Sequence, residues 1–264
     1  MTDQPQLEQV LLTVDGHVAT VTLNRPDQRN PLSAIMLRDL ADAFRWCQAE
    51  PEVRVAVLTG AGDRVFCAGA DLSSFDGGMT DLERHASRSL FVDLFVLMAE
   101  LGKPIVGRIN GHALAGGLGL ACSCDFLVSI DTATFGTPEI NVGIWPMMIQ
   151  AVLSRSIPRK VLLEMEMLGD RWTAIQLQTL GVISRVVPRE QLDSAVAEIA
   201  QKLAAKSPVA MRLGRNSFYR QQDMEFRAAL EYLHSQFTLV TLTEDSKEGI
   251  RAFFEKREPD FKGV

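Results

Sequence analysis

Three short stretches of the chain combine residue types and spacings suited to chemistry. In FGTPEINVGIWP, residues 135–146, Glu139 is the only acid among apolar and small residues. A carboxyl in such surroundings is costly to ionise, so its pKa should rise toward neutral, where it can both take and return a proton. In GHALAGGLGLACSCD, residues 111–125, Gly111, Gly116, Gly117 and Gly119 precede an apolar helical run. The unpaired N–H groups of a helix start can stabilise negative charge, and glycines at 116 and 117 would let a carbonyl approach that backbone closely; tight helix packing would also call for them. In VFCAGADL, residues 65–72, a second small-residue turn follows a predicted buried strand. Two N–H groups from two different turns are what an oxyanion hole requires, because they converge on one oxygen without a counter-charge.

The elements that must position these stretches follow from periodicity. LEQVLLTV and HVATVTLN flank Asp15-Gly16 and predict a hairpin. Ser33 is the expected N-cap of a helix carrying Ile35, Met36, Leu40, Ala43, Phe44 and Cys47 on its apolar face and closed by Pro51. VRVAVLTG (53–60), PIVGRIN (104–110) and FLVSI (126–130) are apolar on both faces and predict strands covered on both sides. From about residue 146 the pattern turns helical, with MMIQAVLSR, PRKVLLEMEML and TAIQLQTL, then a short strand ISRVV and further helices. The fold class is therefore α/β, expected as a core over 1–200 and a helical region over 201–264.

Composition narrows the function classes. The chain has 264 residues, a formal charge of −6 and 47% hydrophobic residues. The acidic balance, without a Lys/Arg block, argues against a nucleic-acid partner. No apolar run is long enough to span a membrane, and MTDQPQLEQV has no export signal, so a cytoplasmic protein is expected. Cys47, Cys67, Cys122 and Cys124 lie in apolar or small-residue settings without metal-site spacing, and are expected to be buried free thiols with no metal bound.

Together, LNRPDQRNPLS, FCAGADL, INGHALAGGLGLACSCD, FGTPEINVGIWP, GVISRVVP and KSPVAMRLGR, in this order, resemble the crotonase superfamily, the enoyl-CoA hydratase and isomerase family. The resemblance covers nearly the whole chain. It implies a crotonase-like spiral of β-β-α units, with a C-terminal helical region that assembles homotrimers, often paired into hexamers. It implies an acyl-CoA thioester as substrate, coenzyme A arriving with the substrate rather than as a resident cofactor. Carried over by position, the oxyanion donors fall on the backbone N–H groups of Ala70 and Gly116. Ala68 falls where a backbone carbonyl meets the CoA adenine, with Asp71 beside it. Trp145 and Met147 fall at the acyl pocket, Glu139 is the acid/base, and Ser73 and Arg64 are more distant candidates for the CoA phosphates.

Family hydratases use a second glutamate in the glycine-rich helix, where this chain has Gly119. Adding water asks for a base and an acid; shifting a double bond asks for one carboxylate that takes a proton from one carbon and returns it two carbons away. The single glutamate thus favours enoyl-CoA isomerisation. Hydration, with the second acid supplied by a positioned water or by Asp76, Asp81 or Glu83, is the alternative, and a non-catalytic acyl-CoA binder is the alternative of another class. The absent side chain at 119 is also expected to widen the pocket for a branched or ring-bearing acyl group.

Overall fold

Antiparallel strands β1 (Val10–Asp15) and β2 (Val18–Leu23) form the expected hairpin around Asp15-Gly16 in the computed structural model, which describes residues 2–71, 78 and 80–264. Helix α1 (Ala34–Ala49) follows, its start capped by Ser33, whose hydroxyl accepts from the Met36 N–H at 3.1 Å. Its buried face holds Met36, Leu37, Leu40, Ala43, Phe44 and Cys47; Ile35, expected there, turns outward, and Leu37 takes its place. Strand β3 (Val55–Gly60) is buried at every position. Next come β4 (Val65–Cys67), α2 (Asp81–Ala99), β5 (Ile105–Ile109), β6 (His112–Leu114), α3 (Gly116–Cys122), β7 (Phe126–Ile130) and β8 (Thr134–Gly136). The remainder comprises α4 (Met147–Ser156), α5 (Arg159–Leu168), β9 (Trp172–Thr173), α6 (Ala174–Thr179), β10 (Arg185–Val187), α7 (Leu192–Ala204), α8 (Pro208–Gln221), α9 (Phe226–Thr241) and α10 (Glu244–Glu255).

The strands form two sheets. Six pair in the order β1-β2-β3-β5-β7-β10, parallel after the opening hairpin, and four pair in the order β4-β6-β8-β9. Successive units therefore alternate between the sheets: β3, β5 and β7 belong to the first, β4, β6 and β8 to the second. This alternation is the spiral of the crotonase fold. The core between the layers is filled by Phe44, Phe66, Phe135, Met36, Leu58 and Ile105, all without solvent exposure.

The expected division near residue 200 falls inside α7, a helix packed on β3, β5 and β7. Helices α8, α9 and α10 lie beyond it and expose Phe226, Phe237, Leu242, Phe253 and Phe254. Asp125 ties α8 to the core: its carboxylate accepts from Ile105 N at 2.7 Å, Arg215 Nε at 2.8 Å and Tyr219 Oη at 2.8 Å. The same Arg215 donates to the carbonyls of Met98 and Ala99, so one buried cation closes the end of α2 as well. No described helix is long and apolar enough to cross a membrane.

Candidate active site

The smaller sheet gathers the three stretches. β4, β6 and β8 are parallel neighbours, so their carboxyl ends lie at one edge, where open parallel sheets place their ligands. From those ends emerge Ala68–Asp71, Ala115–Gly117 and Thr137–Glu139. A hydrogen bond from Ala115 N to Gly136 O, 2.8 Å, fastens the second to the third, and the bridge between Leu32 and Ala70 fastens the first to the segment entering α1.

The N–H groups of Ala70 and Gly116 share one neighbourhood. A Cβ built on Gly116 would stand 3.5 Å from Ala70 N, and one built on Gly69 would stand 3.1 Å from Gly116 N. Among the described residues neither N–H has a backbone acceptor. Two donors so placed can hold a single oxygen. Gly117 serves packing instead, since a Cβ there would lie 2.3 Å from the Cys67 carbonyl oxygen and only glycine lets α3 sit against β4.

The N-cap of α3 carries strain. Ala115 has φ 52° and ψ −131°, a conformation glycine adopts freely and alanine does not. Relief of that strain should outweigh the added freedom of the unfolded chain, so Ala115→Gly is expected to stabilise the fold by about 1 kcal/mol, read as a shift of the urea midpoint at unchanged slope.

Glu139 follows Pro138 in a 3-10 turn, residues 138–142. It is half-buried, and its Oε2 is buried without a hydrogen-bond partner. Burial pushes its pKa up from 4.5 to about 6; its own backbone N–H opposes the rise, and the charge of Glu166 adds to it. The carboxyl is therefore poised to exchange protons near neutral pH, as the residue pattern predicts.

Gly119 does not leave an open space. A Cβ there would stand 2.3 Å from Ile149 Cγ2 and 2.6 Å from Ile149 Cβ, with Phe95 Cζ at 3.5 Å. The expectation of a widened pocket is corrected: the side chain missing from α3 is replaced by Ile149 of α4, and its absence lets the two helices meet closely. Of the substitute acids, Asp76 lies outside the described residues, as does Ser73. Asp81 is exposed and paired with Arg84 at 3.2 Å. Glu83 closes a capping box at the start of α2, accepting from Thr80 N at 2.8 Å, bonds that lower its pKa. Both are occupied by their own helix.

Of the other expected contacts, Ala68 and Asp71 follow β4 at this edge, whereas Arg64 precedes β4 and lies at its opposite end. Ala68 is half-buried, and Asp71 pairs with Arg25 at 2.9 Å. Trp145 is half-buried and donates from Nε1 to Gln150 at 3.0 Å, Met147 is exposed at the start of α4, and Arg64 is exposed. All four cysteines are buried and free; burial pushes the Cys67 and Cys122 thiols up to about 12, which removes them as nucleophiles. Among the described residues no group of three His, Cys, Asp or Glu could hold a metal ion. At the other end of α3 a groove of about 840 Å³ runs between Phe95, Cys124, Arg155 and Arg215, but its acids, Asp125 and Asp223, are both held in ion pairs.

Glu166 and Ile149 are the two residues here that motif reading passed over. For Glu166 a signal existed: the buried positions of α5 and its end are Leu162, Met165, Glu166 and Gly169, spacing of three, one and three that places an acid on the apolar stripe.

Comparison with known proteins agrees with this geometry. Residues 13–264 match the family model described as enoyl-CoA hydratase/isomerase. The chain is 34% identical to an (E)-benzylidenesuccinyl-CoA hydratase of Thauera aromatica, with 97% of this chain and 99% of that protein aligned. It is 33% identical to a 2,3-dehydroadipyl-CoA hydratase of Escherichia coli, over 97% of this chain and 100% of that one. A crystal structure of an enoyl-CoA hydratase from Bacillus anthracis superposes with a TM-score of 0.92 at 32% identity, covering 97% of this chain and all of the other. With its alternating sheets, its edge of three parallel strand ends and a match of this extent, the chain is an enzyme of the enoyl-CoA hydratase/isomerase family.

Proposed function

We propose that the enzyme moves the double bond of an enoyl-CoA thioester, with Glu139 as the sole proton carrier at the reacting carbons. The thioester oxygen is held by the N–H groups of Ala70 and Gly116, and the negative charge that forms on it when the α-proton leaves is stabilised there. Glu139 takes that proton from the α-carbon and returns it to the γ-carbon, so that 3-enoyl-CoA becomes 2-enoyl-CoA with no atom gained or lost. The observation that carries this reading is the filling of the space beside Gly119 by Ile149, which leaves no room on α3 for the second acid of a hydratase. The Ala68 carbonyl receives the adenine, Asp71, paired with Arg25, lies beside it on the CoA-binding segment, and Trp145 and Met147 border the acyl chain. Coenzyme A enters and leaves with the substrate. The apolar side chains exposed on α8–α10 support assembly into homotrimers or hexamers.

Hydration is the second reading, favoured by the relatives at 33–34% identity, which are hydratases of benzylidenesuccinyl-CoA and 2,3-dehydroadipyl-CoA. The test is to supply 3-enoyl-CoA and 2-enoyl-CoA separately in heavy water and to follow products by mass spectrometry. A shifted double bond with deuterium at the α- or γ-carbon and no added water is the expected result. A product heavier by one water from 2-enoyl-CoA would replace isomerisation by hydration. Bound acyl-CoA that exchanges no α-proton would reduce the protein to a binder.

A further inference from the structure

A second buried carboxyl without a cation sits on α5, the helix that packs against the turn carrying Glu139. Glu166 on α5 has no solvent exposure, and neither of its carboxyl oxygens has a hydrogen-bond partner among the described residues. A carboxyl in this position is expensive to ionise, and nothing on its own helix repays the cost. Helix α5 packs against the turn that carries Glu139: a Cβ built on Gly169 would stand 2.7 Å from Asn141 Nδ2 and 2.9 Å from Ile140 Cγ2. The buried stripe of α5 includes both Gly169 and Glu166. On the turn itself, Glu139 Oε2 is the other buried carboxyl oxygen without a partner.

We propose that Glu166 is a positioning residue for Glu139: the two buried carboxyls lie together beneath the contact of α5 with the turn and titrate as a pair, so that Glu166 governs when Glu139 takes up and releases a proton. This rests on the reading of Glu139 as the proton carrier. The electrostatics agree with the geometry. Burial raises the pKa of Glu166, and once ionised Glu166 adds to burial in raising Glu139 to about 6. The remaining charges of α5 and its exit, Arg159, Lys160, Glu164, Asp170 and Arg171, are exposed, and none of them contributes to the shift at Glu139. The consequence for a proton shuttle is direct. Glu139 must be ionised to take the α-proton and must hold it firmly enough to carry it to the γ-carbon; a like-charged neighbour strengthens it as a base without adding a second group at the substrate. The place of the family's second acid on α3 is closed, and this chain puts its second carboxyl behind the first.

The experiment follows the side-chain carboxyl signals of protein labelled with ¹³C-glutamate across pH, the Glu139 signal being identified by its loss in Glu139→Gln. In the wild type its midpoint is expected near 6. In Glu166→Gln, neutral and nearly isosteric, the midpoint should fall by roughly half a unit or more, and the acid limb of the kcat/KM profile should move down by the same amount. Glu166→Met, apolar and unbranched, serves if the amide is poorly tolerated, and should give the same shift; Glu166→Asp, which keeps the charge, should restore the midpoint toward the wild type. A residue important only for packing would lower activity at every pH and leave the limb in place. An unchanged Glu139 midpoint in both neutral variants overturns the pairing. Full activity in Glu139→Gln would instead overturn the role of Glu139 and leave a measured pairing standing, so the two failures are distinct.

Discussion

Glu139→Gln is expected to lower kcat/KM by roughly 100- to 10,000-fold while making the fold more stable at neutral pH. The loss follows because an amide neither takes nor returns the proton, and Ile149 leaves no substitute beside Gly119. Coenzyme A binding should change little, since the proposed contact at 68 and both proposed oxyanion donors are backbone groups. The gain in stability follows from linkage. Glu139 has a folded pKa of about 6 against a usual 4.5, so the folded state holds the extra proton in that window. Its stabilising contribution is full below the unfolded value and is lost as pH rises through about 6; above that, the half-buried carboxylate costs the fold free energy. Discounted for partial exposure, that cost is about 1 kcal/mol. The variant should therefore unfold at a higher urea concentration than the wild type at pH 7.5 and at nearly the same concentration at pH 4. A variant that is inactive and unstable at both would mean that Glu139 serves the fold; a fully active one would remove it from the mechanism.

The parts of the site legible in the sequence are those set by local chemistry. A lone acid in FGTPEINVGIWP is visible as a perturbed carboxyl because it stands alone among apolar and small residues, although Val142 and Ile144 are exposed and the turn is covered by α5. The strands at 55–60, 105–109 and 126–130 are visible because sheets covered on both faces need continuous apolar runs, and Ser33 because its hydroxyl accepts from the N–H three residues on, at the start of α1. Glu166 escapes motif reading, and its place on the 162-165-166-169 stripe stands out only once that stripe is known to be the buried one. What stayed hidden came from elements distant in the chain. Helical geometry says where a side chain at 119 would point, but not that Ile149, thirty residues on and in another helix, already stands there. The inference of an enlarged pocket failed for that reason: in a close-packed interior a small residue is met by a large one far more often than by space. Asp81 and Glu83 were open candidates for the same reason, since the capping box assigns Glu83, and the pair with Arg84 assigns Asp81, to their own helix only once the start of that helix is placed at Thr80.

Gly119 then defines the sharpest structural expectation, and it concerns the division between the two family reactions. Gly119→Ala places a Cβ 2.3 Å from Ile149 Cγ2 and 2.6 Å from Ile149 Cβ. Ile149 is branched at that carbon, 4% exposed and locked within α4, so it cannot swing its contact away as a long unbranched side chain would. Overpacking of this kind costs about 1–3 kcal/mol. Gly119→Glu adds to it a carboxyl without a partner, at a further cost of several kcal/mol, and is expected to fold poorly or not at all. The loss should be recovered in part by Ile149→Ala in the same chain, and the two changes should be strongly non-additive, because the side chain added at 119 fills the space that Ile149→Ala opens. In that double variant a carboxyl enters from α3 opposite Glu139, the arrangement family hydratases use, and 2-enoyl-CoA should begin to yield a product heavier by one water. Thermal unfolding of the single and double variants checks the packing, and mass spectrometry of the product checks the chemistry. If Gly119→Ala unfolds at the wild-type temperature, α3 and α4 have room to spare and steric exclusion does not explain the missing acid. If the double variant folds but adds no water, the second acid is not what separates this site from a hydratase, and the pairing of Glu139 with Glu166 becomes the more important determinant of which reaction it performs.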